Sequence, residues 1–133
     1  MATTIRQTVL VDAPPHAVFE ALLDSKKHAA FTGAKASISR KAGGRMSAWD
    51  SYIEGKNLRI EKDKVIVQSW RTTEFKESDP DSQVMFHFSK KGAGTRIMFV
   101  HSKVPDRLAE SFRQGWIDNY WVPLKAYLES TTA

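Results

Sequence analysis

The run GWIDNYWVPLKAYLES, from Gly115 to Ser130, limits the fold more than any other stretch of the chain, because it carries two tryptophans, two tyrosines and a proline on what reads as a helix. A surface helix docks through an apolar stripe roughly 100° wide. Here Leu108, Phe112, Trp116, Tyr120, Leu124 and Leu128 form a slowly drifting ladder, and Ile117, Trp121 and Tyr127 widen it. Only Ser111, Gln114, Asp118, Lys125 and Glu129 make a polar strip, so something broad must cover this helix. Pro123 removes the hydrogen bond to the carbonyl of Asn119 and predicts a bend.

The cover lies upstream. TIRQTVLVDA alternates as a strand, and DAPPHAVFEALLDS then opens a helix with Pro15 in its first turn. Ser25 reads as the cap of a second short helix that Gly33 ends. From Ala34 to Val104 the chain turns into strands: AKASISR, RMSAWDSYIEG, KNLRIEKD, KVIVQSWRTTE, QVMFHFSK and TRIMFVHSKV, divided by Gly43-Gly44, SDPDS and KGAG. Connections this short leave no room for crossover helices, so the sheet is expected to be antiparallel. The class is α+β: a meander of about six to seven strands, two short helices after the first strand and a long C-terminal helix. One helix about 10 Å across cannot cover six strands spaced about 4.8 Å apart, so a cavity is expected beneath it.

At 133 residues the chain is expected to be a single domain, 1–133. The absence of cysteine removes disulfides and thiolate chemistry. No His pair at metal-ligand spacing, phosphate-cradling glycine loop or nucleophile elbow is present, and no metal or cofactor is expected. KKGAGTR links two strands and reads as a hairpin turn. The net charge of +5 is spread over Lys26-Lys27, Arg40-Lys41, Lys62, Lys64 and Lys90-Lys91, mostly at turns, which argues for solubility rather than nucleic-acid binding. No stretch approaches a membrane span of about twenty apolar residues, and MATTIRQTVLVDAPP has no leader pattern, so a cytoplasmic protein without membrane contact is expected.

APPHAVFEALLD, AFTGAKA, GGRMSAWDSYIEG, VIVQSWR, GTRIMFVHSKVP and RQGWIDNYWVPLKAYL, in that order, resemble the successive motifs of the activator-of-heat-shock-chaperone-ATPase homologues, within the START-like (SRPBCC) helix-grip superfamily. The resemblance runs from about Val9 to Leu128. Its most telling pieces are Gly43-Gly44, Trp70-Arg71 and Gly115-Trp116. It implies a helix-grip fold, with the sheet wrapped around the last helix. It also implies either a role beside the ninety-kilodalton heat-shock chaperone in the stress response or the binding of a hydrophobic molecule, as relatives in the superfamily do.

Across a KGAG hairpin, Val84, Phe86 and Phe88 pair with His101, Phe99 and Ile97 on one face, which is expected to meet the helix. His101 is then a polar group at the end of an apolar wall, either structural or facing a ligand. Met46 is turned inward and carries Asp50 with it, and a buried carboxylate needs a partner. Ile66, Gln68 and Trp70 form another inward set. The expected ligand lining is Phe31, Met46, Asp50, Trp70, Phe86, Phe99, His101, Trp116 and Tyr120. Trp49, Val67, Met85 and Met98 fall outward and mark a partner surface for a homodimer or a chaperone. The expected function is non-enzymatic binding of a small hydrophobic ligand. Two alternatives stand beside it: a co-chaperone-like interaction module, and a cyclase or hydrolase using Asp50 and His101.

Overall fold

Alternation of apolar and polar residues makes Ala2–Val11 strand β1, with Ile5, Val9 and Val11 turned into the core. The computed structural model describes residues 2–131. Pro14 and Pro15 start helix α1, Pro15–Leu23, which buries Val18, Phe19, Leu22 and Leu23. Helix α2, Ser25–Thr32, is capped by Asp24, whose carboxylate accepts the Lys27 N–H at 3.2 Å, so the cap lies one residue before the expected Ser25. Gly33 ends it in the left-handed conformation at φ 78°.

Strands β2 (Ser37–Ile38), β3 (Arg45–Ala48), β4 (Ile53–Glu61), β5 (Val65–Thr72), β6 (Ser82–Lys91) and β7 (Gly94–Pro105) follow as an antiparallel meander, and β1 joins the sheet beside β7. The seven-stranded order is β1-β7-β6-β5-β4-β3-β2. The KGAG hairpin sets the expected register, with Phe88 opposite Ile97, Phe86 opposite Phe99 and Val84 opposite His101. Two expectations fail locally. AKASISR shrinks to a two-residue strand, and RMSAWDSYIEG is broken after Ala48 by Trp49, Asp50 and Ser51, all at positive φ (54°, 56° and 72°). Three left-handed non-glycine residues in succession turn the chain sharply at a cost of about 1 to 2 kcal/mol each.

The final helical segment crosses the concave face of the sheet. A 3₁₀ turn, Asp106–Leu108, leads into α3, Ala109–Trp116; a π-helical turn, Ile117–Trp121, leads into α4, Val122–Thr131. The bend expected from Pro123 thus takes the form of a π turn just before it. Ala109, Phe112 and Trp116 face the core at steps of three and four, as do Trp121, Leu124 and Leu128, and the π turn bridges the two sets with five.

Candidate functional site

Trp116 lies at the centre of the concave face. Its ring packs 4.4 Å from Phe99, 5.6 Å from Trp70, 6.0 Å from Phe86 and 5.7 Å from Trp121, measured between centroids. These side chains occupy most of the hollow that the sequence leaves open. The helix is indeed narrow, but its indoles reach the sheet and fill the difference.

What remains is a cleft of about 200 Å³ where α3 and the π turn pass the Trp49–Ser51 corner. Trp49, Tyr52, Ile53 and Trp70 line it from the sheet. Ser111, Phe112, Gly115, Trp116, Asn119 and Tyr120 line it from the helix. Pockets for drug-sized ligands occupy about 300 to 1,000 Å³. The cleft therefore suits only a small guest.

Two buried polar chains run behind this lining. Trp116 donates its indole N–H to Nδ1 of His101 at 3.0 Å, so the other ring nitrogen carries the proton. That Nε2–H meets Ser82 Oγ at 2.8 Å, and the Ser82 hydroxyl donates to the Trp70 carbonyl at 2.5 Å. Burial pushes the His101 pKa down to about 3. In the second chain, His28 Nδ1–H donates to the Leu22 carbonyl at 3.1 Å, and Nε2 accepts the Tyr120 hydroxyl at 3.1 Å. Burial pushes the His28 pKa down to about 4, against the opposing pull of the Leu22 carbonyl. Burial also raises the Tyr120 pKa, opposed by a hydrogen bond from Trp49.

Gln7 of β1 bridges the helix irregularity. Its Oε1 accepts the Trp121 indole N–H at 2.6 Å, and its amide donates to the Arg113 carbonyl at 3.0 Å. Ile117 N–H bonds to Gln114 rather than Arg113, and the Gln7 amide supplies the Arg113 carbonyl with a donor from the sheet.

The expected site residues separate into three groups. Trp70, Trp116 and Tyr120 line the cleft. Phe31, Met46, Phe86, Phe99 and His101 are buried behind it, with Phe31 5.0 Å from the His28 ring and 5.9 Å from Tyr120. Asp50 does not continue the inward face of Met46 and Ala48. The left-handed corner exposes it, and its carboxylate accepts the Lys35 N–H at 3.0 Å.

The structure therefore does not bring Asp50 and His101 together, and both nitrogens of His101 are already engaged. The acid–base pair is overturned. Ser82 is not a nucleophile aimed at a base either, since its proton is committed to a carbonyl.

Trp49, expected outward, is half-buried against Tyr120 at 6.5 Å, because the same corner swings it under the helix. Val67, Met85 and Met98 do lie on the outer face, and Met98 is 48% exposed. Tyr52, Phe112, Asn119 and His28 are absent from the sequence-based lining. Phe112 had a visible signal, one turn before Trp116 in the same ladder; His28 had none. Among the described residues, no group of three His, Asp or Glu side chains could hold a metal ion, and no helix is long and apolar enough to cross a membrane.

Residues 12–129 match the family described as Activator of Hsp90 ATPase homolog 1-like protein. An uncharacterized protein of Schizosaccharomyces pombe is 27% identical over 122 residues, covering 91% of this chain and 36% of the relative. The Activator of 90 kDa heat shock protein ATPase homolog of Dictyostelium discoideum is 27% identical over 106 residues, covering 79% of this chain and 27% of the relative. The chain thus spans about a third or less of the length of these curated relatives. Among solved structures, PFC0360w, an HSP90 activator from Plasmodium falciparum, superposes with a TM-score of 0.88 at 25% identity, over 95% of this chain and 96% of that one. Protein MLL2253 from Mesorhizobium loti shares the fold, with a TM-score of 0.85 at 18% identity over 97% and 98% of the two chains.

Proposed function

The chain belongs to the Activator of Hsp90 ATPase homolog 1-like family, and from that premise we propose that it is a non-enzymatic interaction module that docks on a ninety-kilodalton heat-shock chaperone. It acts as a single cytoplasmic domain in the stress response. The observation that carries this reading is the near end-to-end likeness to the Plasmodium HSP90 activator. An interior largely filled by Trp116, Trp121, Phe86 and Phe99 is consistent with it, since binding then falls to the surface. The test is the steady-state ATPase rate and direct binding of the host's own chaperone of that class, with and without the purified protein. A rise in rate that saturates with binding is expected; no binding and an unchanged rate would end the proposal.

The aromatic cleft favours a second reading, in which a small, largely apolar ligand lies against Trp70, Trp116 and Tyr120, with Phe31, Met46, Phe86, Phe99 and His101 supporting that wall. Ligands of one or two rings should quench tryptophan fluorescence. Gly115→Leu, which fills the cleft from the helix side, should abolish the quenching. Equal quenching in both proteins would remove this reading.

A further inference from the structure

The outer face of the sheet, opposite the helices, is not an ordinary solvated surface. The register lays Val67, Met85 and Val100 side by side across β5, β6 and β7. Arg59 closes this row at β4 and Arg6 closes it at β1. Met98, opposite Thr8 of β1, extends the apolar area on the neighbouring row. On the other side runs a row of Arg45, Lys56, Ser69 and Gln83.

Arg45 and Lys56 stand directly opposite each other, a like-charge arrangement that weakens a sheet. Among the described residues, neither of them forms an ion pair, nor does Arg6, nor Arg96, which stands opposite Leu10 of β1 on the same face as Met98. Arg59 is paired with Glu61, so among the described residues the row is closed by a free cation only at Arg6, with Arg45 and Lys56 unpaired alongside it. Such a row is matched by a surface with apolar side chains and carboxylates. A second copy of the chain would bring the same cations face to face. A nucleic acid would lay phosphates over Val67, Met85 and Val100, where the only neighbouring ring among the described residues of this face is the His87 imidazole opposite Met98, and no Phe, Tyr or Trp offers a stacking platform.

We propose that this face docks an acidic amphipathic segment of a partner protein, its carboxylates meeting Arg6, Arg45, Lys56 and Arg96 and its apolar side chains lying on Val67, Met85 and Val100. The inference rests on the interaction-module reading and names the surface and the chemistry of the partner.

The test uses the full chain and a fluorescein-labelled 14-residue peptide of alternating glutamate and leucine, followed by fluorescence anisotropy. A lysine-leucine peptide and an oligothymidylate of equal length serve as competitors. The double change Arg45→Glu/Lys56→Glu should weaken binding at least tenfold, and Met85→Ser about fivefold. Lys26→Glu, an equally exposed charge reversal on α2, should change it less than twofold. Circular dichroism and thermal melting confirm that each variant folds.

Equal weakening by all three variants would overturn the proposal, as would no peptide binding or better competition by oligothymidylate. The two proposals fail separately. Peptide binding lost in the surface variants while no chaperone binds leaves the surface standing and removes the chaperone. Chaperone binding that the surface variants leave unchanged removes the surface alone.

Discussion

Trp116 donates its indole N–H to Nδ1 of His101 across 3.0 Å, with both residues buried. The bond fixes the tautomer of His101, and through it the direction of the chain that ends at the Trp70 carbonyl. Trp116→Phe keeps most of the ring contacts but leaves the histidine nitrogen without a donor. The expected loss is about 1 to 3 kcal/mol, read from urea denaturation. A loss well under 0.5 kcal/mol would mean that the bond contributes nothing.

Acid should destabilise the protein well before its carboxylates titrate. His28 and His101 stay neutral in the fold down to about 4 and about 3, but an unfolded histidine takes up a proton near its ordinary 6.5. Below about pH 6.5 the unfolded chain therefore binds more protons, and stability falls by about 1.4 kcal/mol per pH unit for each histidine. That stability is fully present above 6.5. Melting temperatures between pH 7.5 and 4.5 check the slope. His101→Gln, whose amide can accept from Trp116 and donate to Ser82, should remove about half of it.

Gln7→Leu should uncouple β1 from the helix. It removes the partner of the Trp121 indole N–H and of the Arg113 carbonyl, and because both bonds are only partly buried the cost is about 1 kcal/mol for each. Amide hydrogen exchange should quicken between 117 and 121 more than in α1. Uniform quickening across the chain would point to general destabilisation rather than a local role for the bridge.

Gly55 permits the close pairing of β4 and β5. A Cβ there would stand 1.8 Å from the carbonyl oxygen of Ser69, a backbone atom with little freedom to retreat. Gly55→Ala should cost about 1 to 3 kcal/mol or more through overpacking. Gly115→Ala, where the nearest atom is the Asn119 side-chain nitrogen at 3.7 Å, should be tolerated and serves as its control.

The sheet register was legible because KGAG is a short hairpin signal between two alternating strands, and it placed Phe86, Phe99 and His101 correctly on the inner face. The corner at Trp49–Ser51 was not legible. It takes left-handed backbone without glycine, and its turn formers Asp50 and Ser51 fit into the alternation of RMSAWDSY, so the period-two reading ran straight through. Both misplaced residues, Asp50 and Trp49, sit on that corner. Pro123 announced a break in the helix. What it could not announce was the form, because the π turn depends on tertiary partners such as Gln7.

The π turn also sets how α4 relates to the cleft. Were Ile117–Trp121 an ordinary helical turn, Trp121 would sit about 140° round from Trp116 and point toward solvent. Leu124 and Leu128 would rotate away with it. The five-residue step works as a phase adjuster between two amphipathic rods, and the wall of the cleft contains it. Any force that straightens this wall must twist α4, Val122–Thr131, about its own axis, so the mouth of the cleft and α4 turn as one shaft.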